Sequence, residues 1–396
     1  MEPYLGIDWG IANYYGWGVF GYNLCAELAG DRNRPTVPVP LSSVADTTMN
    51  PAQLARLKPL LAEAERFRAL PADGSGVTHC PDMCLLKALG NDLTPLHIER
   101  QYRGDRTIGF VFLENTNLSA AAMQRARTLD MVIAGSTWNA RILQAKGLSD
   151  VRCALQGIDT ALFRPRSTKR LFGDRFTVFS GGKLEYRKGQ DIVLAAWKKF
   201  HAAHPDSVLV TAWHNVWPET ARSIAASPHI DHAPETGPDN RLKIVDWAEA
   251  NGAAPGSVID LGIVANEETP NLMRAIDIAV FPNRCEGGTN LVAMETMASG
   301  VPCILSANTG HLDLIGDGAH CLPLTHQRQV IPPEPDVGVE GWGESSVDDV
   351  VAALEHACEN HDATKKMGLQ AAIGMKDWSW KNRIRQLMDI LTGVKS

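Results

Sequence analysis

The chain has no long apolar block, no paired-cysteine framework and no surplus of positive charge. Each absence removes a class of protein. No window of the 396 residues approaches the run of about eighteen apolar residues that a membrane-crossing helix needs. The eight cysteines are scattered, with Cys303, Cys321 and Cys358 inside apolar runs, which fits core thiols in a reducing cytosol rather than a secreted disulfide scaffold. His79, Cys80 and Cys84 form a lone C-x3-C group without a second pair, so no metal site is expected. Met1-Glu2-Pro3 runs directly into a strand-like stretch broken by Asp8, without the basic start and apolar block of a secretory leader, and a cytoplasmic location is expected. The net charge is −7; residues 1–164 hold 16 basic and 16 acidic side chains, leaving 22 and 29 for the rest. This balance excludes a general nucleic-acid binder and shows no strongly basic membrane-facing patch. Arg100, Arg103 and Arg106 read as solvated surface, and peripheral contact with the inner face of a membrane stays open. Gly16-Trp17-Gly18 is read as lacking G-x-G-x-x-G spacing in the tight strand-to-helix position of a dinucleotide site, which speaks against a dehydrogenase.

What is present is alternation of strand-like and helix-like segments over a length that suits two domains. In the first half, a strand over 4–10 leads through Gly16 and Gly18, whose bare backbone can approach a phosphate or sugar, into a helix marked by Val19, Leu24 and Leu28. An amphipathic helix is expected over 51–70. Short strands over 77–80 and 107–113 would present His79 and Glu114 at their carboxyl ends, where open α/β sheets bind ligands. In the second half, a strand over 177–180 enters Gly181-Gly182-Lys183-Leu184-Glu185-Tyr186-Arg187-Lys188-Gly189. Two lysines on a glycine-bounded loop, Lys183 and Lys188, can converge on one diphosphate. Strands over 208–213 and 258–261 follow, the second running into Gly262-Ile263-Val264. Residues 327–346, rich in proline and glycine, read as a long loop and an insertion.

The stretch that organises the chain begins after a buried strand over 278–282. It reads Asn283-Arg284-Cys285-Glu286-Gly287-Gly288-Thr289-Asn290-Leu291-Val292-Ala293-Met294-Glu295 and ends at Gly300. Asn290 is a good N-cap and Gly300 a good helix stop. The free N–H groups of Gly288, Thr289, Asn290 and Leu291 would favour an anion at the helix start. Glu286 stands at the strand exit and Glu295 on the second helical turn, so one can meet a sugar hydroxyl and the other a ribose.

These residues resemble the E-x7-E signature of retaining glycosyltransferases of the GT-B fold, family four. Here eight residues separate Glu286 from Glu295, so either the turn holds one more residue or Glu286 is displaced from the family position. The 181–189 loop is similar to the family's G-R-x4-K-G loop, with Lys183 in place of the arginine and Lys188 matching the lysine. Residues 156–165 resemble the interdomain segment that ends N-G-V-D-x-x-x-F-x-P, and the tail from Trp378 resembles the helix that returns to the N-terminal domain. The resemblance also implies that Gly16 and Gly18 border the cleft, and that Ile263 and Val264 hold the nucleotide base through main-chain groups. His79 and Glu114 resemble positions where the family places a histidine near the reacting sugar, Glu114 standing where His is usual.

The fold implied is α/β, two Rossmann-like domains facing a deep cleft: 1–168 on the acceptor side, 169–376 on the donor side, and 377–396 as the returning helix. The activity implied is transfer of a sugar from a UDP- or GDP-sugar to a glycan, lipid-linked or other hydroxyl acceptor. No further cofactor is required, since no D-x-D triplet is present to hold a metal. Glu286, Glu114 and His79 would touch the reacting sugar, and Lys183, Lys188, Ile263, Val264, Gly288 to Leu291 and Glu295 would bind the donor. The alternative is a non-catalytic nucleotide-sugar-binding protein. The donor's base, the acceptor and the oligomeric state are not legible.

Overall fold

A computed structural model describes residues 2–31, 36–45, 49–166, 171–214, 217–264, 266 and 268–393. The chain divides into two compact units, one of Met1–Gly157 with Trp378–Ser396 and one of Ile158–Asp377. The boundary expected at 168 and 169 lies outside the described residues.

The first unit is built on a parallel sheet of β1 (Tyr4–Asp8), β2 (Val37–Pro40), β3 (Val77–Leu89), β4 (Gln101–Val111), β5 (Met131–Ala134) and β6 (Val151–Cys153), in the order β2-β1-β3-β4-β5-β6. The helix Pro51–Arg68 forms where its signals predict: Asn50 caps it, Gln53 closes the capping box and Pro51 occupies the first turn. β3 differs from expectation. Pro81 and Asp82 do not end it but form an irregularity between Cys80 and Cys84, with Asp82 at φ 57 and its N–H donating to Asp105 Oδ2 at 2.9 Å. The apolar run beyond then carries the strand on to Leu89. The tail helix Trp380–Thr392 belongs to this unit: Trp380 stacks on Phe20 with centroids 5.7 Å apart, and Arg106 Nη1 donates to the Leu391 carbonyl at 2.7 Å.

The second unit holds β7 (Phe176–Gly181), β8 (Ser207–Ala212), β9 (Val258–Asp260), β10 (Ile278–Phe281), β11 (Cys303–Ser306) and β12 (Leu322–Leu324). Their order is β12-β11-β10-β7-β8-β9, all parallel. β10 is buried at every residue, as a central parallel strand covered on both faces must be. Trp197, Phe200, Trp213 and Trp247 fill the core beneath it. Residues 327–346 are not loop throughout: β13 (Gln327–Arg328) and β14 (Glu344–Ser345) pair antiparallel and close the segment into a ribbon. Both six-stranded sheets are therefore α/β layers. In the second, the strand order reverses between β7 and β10, which puts the crevice for a ligand beyond the carboxyl ends of those two strands.

Candidate functional site

The 181–189 loop leaves β7 and the signature turn leaves β10, so neighbouring strands deliver both to the switch point. Their backbones are joined: Arg284 N and Cys285 N both donate to the Arg187 carbonyl, at 2.7 and 3.1 Å. Glu286 is 5% exposed, and its carboxylate is ion-paired with Lys188, hydrogen-bonded by Asn283 Nδ2 and 3.4 Å from Arg187 Nη1. Burial pushes this carboxyl up, but the cations of Lys188 and Arg187 outweigh it and hold Glu286 at about 2. Glu286 is thus an anion between two cations.

Beyond Glu286 the chain makes a buried turn and enters the helix Leu291–Ala298. Asn290 takes φ 61, and its Oδ1 accepts from Ala293 N at 3.3 Å. Asn290 Nδ2 lies 3.0 Å from His311 Nε2; the amide can only donate there, so the ring accepts and stays neutral. Burial lowers His311 to about 4, in keeping with that role. A second loop, after β11, braces the turn: Thr309 Oγ1 accepts from Glu286 N at 2.9 Å, and Gly310 N donates to the Glu286 carbonyl at 3.0 Å.

Glu295 has the opposite electrostatics. It is buried, Asn266 Nδ2 donates to it at 3.0 Å, and burial raises it to about 8, the Asn266 bond opposing only in part. Between its ordinary value of 4.5 and about 8, the folded protein keeps a proton that the unfolded chain releases, so the stability this group contributes is lost as pH rises through that window. The thermal midpoint of the wild type should therefore fall more between about pH 6 and about pH 9 than that of Glu295→Gln. Parallel curves for the two proteins would contradict it.

Residues 164–334 match the family model described as Glycosyl transferases group 1. Over those residues the chain is similar to the group 1 glycosyl transferases. A GDP-mannose-dependent alpha-(1-6)-phosphatidylinositol monomannoside mannosyltransferase of Mycolicibacterium smegmatis is 24% identical over 251 residues, 60% of this chain and 55% of that protein. Mannosylfructose-phosphate synthase of Agrobacterium fabrum is 28% identical over 206 residues, 50% and 42% of the two chains. The chain thus spans about half the length of the curated relatives it matches. Among solved structures, Anabaena HepE in complex with UDP and glucose covers 99% of this chain and all of its own at TM-score 0.62 and 14% identity. Sucrose-phosphate synthase from Thermosynechococcus elongatus aligns over the full length at TM-score 0.62 and 16% identity. The fold is that of these GT-B proteins.

Within the matched segment, Lys183 is the looser of the two lysines. Its side chain is 32% exposed and pairs with Glu185 at 3.2 Å, whereas Lys188 reaches Glu286. Arg187 joins Lys188 at Glu286 and also binds Glu185 at 2.5 Å. Ile263 is 52% exposed and follows Gly262, whose N–H donates to Asp260 Oδ2 at 3.2 Å; Val264 is half-buried beside it. Gly288, Thr289 and Asn290 are buried in the turn and Leu291 opens the helix.

In the first unit the expected residues are not brought together. The strand-end position expected for His79 is corrected: it lies near the start of β3, far from the carboxyl edge marked by Leu89, and its Nε2 faces Asp105 at 3.2 Å on an exposed surface. Cys80 and Cys84 beside it are buried thiols raised to about 11 and about 12 by burial, and among the described residues no group of three potential metal ligands gathers. Glu114 does follow the carboxyl end of β4, where Asn91 Oδ1 accepts from its N–H at 2.7 Å and Asn91 Nδ2 donates to its Oε2 at 3.3 Å. Gly16 and Gly18 are not in a loop but in the first turn of the helix Gly16–Gly30. With Gly21 they carry G-x-G-x-x-G spacing, yet a Cβ on Gly18 would meet Ala12 at 2.7 Å and one on Gly21 would meet Trp9 at 2.7 Å, so both serve close packing. Arg100 is structural, donating to the carbonyls of Arg68 and Leu70.

Sequence reasoning missed Asn266 and His311, which have no motif of their own, and gave no role to Asn283 at the head of the signature stretch; each is recognised only by what it bonds. It also missed a cluster in the first unit, where Asp8 Oδ1 meets His97 Nδ1 at 2.7 Å and Asp8 Oδ2 lies 3.6 Å from Lys87 Nζ. Among the described residues no helix is long and apolar enough to cross a membrane.

Proposed function

We propose that this protein transfers a sugar from a nucleoside diphosphate donor to a hydroxyl acceptor, with retention of configuration and without a metal. The observation that carries the reading is the meeting of Lys188 with Glu286 at the switch point of the second sheet. As the bond from sugar to phosphate breaks, negative charge grows on the diphosphate. Lys188, Arg187, Lys183 and the amides from Gly288 to Leu291 stabilise that charge, and an interaction that strengthens as charge develops accelerates the step. On this reading Lys188 exchanges Glu286 for phosphate when the donor binds, which frees the carboxylate for the sugar's hydroxyls. Glu295 takes the ribose and the half-exposed Ile263 the base. Glu114, held by Asn91, contacts the acceptor. The named relative that uses GDP-mannose and the solved neighbour that holds UDP support a nucleotide-sugar donor of either base. Peripheral membrane contact and a cytoplasmic location belong to the same proposal.

Lys188→Ala should lower kcat/KM by about 10- to 200-fold, the loss of one charged hydrogen bond of about 1.5–3 kcal/mol. Lys183→Ala should cost less, because that side chain is partly in water and already paired with Glu185. The test is a panel of UDP-glucose and GDP-mannose followed for binding and turnover. Binding without transfer or donor hydrolysis would favour the non-catalytic alternative, and binding of neither would end the proposal.

A further inference from the structure

A fully buried arginine outside the lysine and glutamate motifs stands two residues before Glu286. Arg284 is 0% exposed. Its guanidinium holds Asp191 bidentately, Nη1 to Oδ1 at 2.8 Å and Nη2 to Oδ2 at 2.6 Å, and its Nε donates to Glu344 Oε2 at 2.6 Å. Nη1 also donates to the Tyr186 carbonyl at 2.7 Å, and the guanidinium carbon lies 4.0 Å from the Tyr186 ring centroid. One side chain therefore binds three separate segments: the start of the helix Gln190–Ala203, the Tyr186–Lys188 turn and strand β14. The ribbon is held from its other side as well. Gly343 N donates to the Arg284 carbonyl at 3.1 Å, Asn308 Nδ2 donates to the Gly343 carbonyl at 3.0 Å, and Tyr186 Oη donates to the Ile331 carbonyl at 3.1 Å.

Buried ion clusters are a poor source of stability, because desolvation consumes most of the Coulomb attraction and an apolar filler serves as well. What a planar fork supplies and a filler does not is fixed relative orientation. The segments fixed here carry Lys188 and Glu286. We propose that Arg284 is a positioning residue for the donor-sugar site, and that through Glu344 it makes the 327–345 segment part of that site's support. This rests on the donor reading above. The sugar-facing carboxylate and the diphosphate-facing lysine keep their spacing because Arg284 ties their two backbones to one anchor, and the 327–345 segment holds that anchor from above.

Two variants test it. Arg284→Lys keeps a charge but loses the fork, and Glu344→Gln removes the charge of one arm at a half-buried position while leaving Asp191 and Arg284 in place. Deuterium exchange of the amides in 186–189 and 286–289 should rise at least about threefold in both, under conditions where circular dichroism shows both folded. With donor, kcat should fall about 10- to 100-fold in Arg284→Lys and about 3- to 10-fold in Glu344→Gln, while the dissociation constant of UDP or GDP moves by less than about threefold. Unchanged exchange in folded Glu344→Gln would overturn the staple. Raised exchange with unchanged kcat, or an equal loss of kcat and nucleotide affinity, would overturn its use in positioning. If the wild type binds neither nucleotide, the donor reading fails by itself and the exchange result still decides whether Arg284 fixes the two loops.

Discussion

Glu286→Gln is expected to lower kcat about a hundredfold while leaving affinity for UDP or GDP undiminished. The Glu286 anion is engaged by Lys188, Arg187 and Asn283, and burial makes its charge costly without those partners. On the proposed reading an incoming diphosphate competes for the same cations. Replacing the carboxylate by an amide of equal shape removes the competitor, so plain nucleotide binds as well as before or better. The sugar step behaves differently. A carboxylate that accepts hydroxyl hydrogen bonds as the sugar develops positive character is worth more in the transition state than in the ground state, and an amide is a weaker acceptor. Isothermal titration of nucleoside diphosphate, set beside initial rates with the nucleotide sugar, separates the two effects. Loss of nucleotide affinity in step with kcat would mean that Glu286 holds the phosphates, and unchanged turnover would return it to a purely structural role.

How much of this site was legible follows from how its parts signal. β10 reads as a continuous apolar run and β7 as a short β-prone stretch ending in glycines, so the loops that leave them could be placed from the sequence and the lysines and glutamates on those loops assigned to one end of one sheet. The same logic failed at β3, because Pro81 and Asp82 carry the composition of a stop while the tertiary pairing with β4 absorbs them as a bulge. His79 was consequently set at the wrong edge. Gly16 and Gly18 were read as loop because glycine is a poor helix former, whereas at Gly18 the close approach of Ala12 to the helix favours the smallest residue. The ribbon of β13 and β14 has two residues in each strand, too few for any period to show. Arg284 and His311 were invisible for another reason. Their importance lies in partners 93 and 21 residues away, and separation in sequence hides a bond that only the fold creates.

The loop after β11 is where the largest single-atom effect is expected. Gly310 has ordinary negative φ, so it is not there for conformational freedom. It is there because the Gly288 carbonyl oxygen passes so close that a Cβ would sit 1.7 Å from it, and 2.7 Å from the Glu286 carbonyl oxygen. Both neighbours are backbone, so neither can rotate aside. Gly310→Ala must push the signature turn away by more than an ångström and strain the bond from Gly310 N to the Glu286 carbonyl. Displacements of that size at a reacting centre cost about a hundredfold in rate, and overpacking of a buried turn costs about 1–3 kcal/mol. The expected outcome is a fall of at least about a hundredfold in kcat/KM with a lower thermal midpoint, read on protein that remains folded at the assay temperature. Gly74→Ala is the control, since a Cβ there has nothing within 4 Å and should change neither quantity. A Gly310→Ala protein with wild-type turnover would mean that the turn from Glu286 to Asn290 can shift freely, and the catalytic assignment of Glu286 and of the helix amides would fall with it.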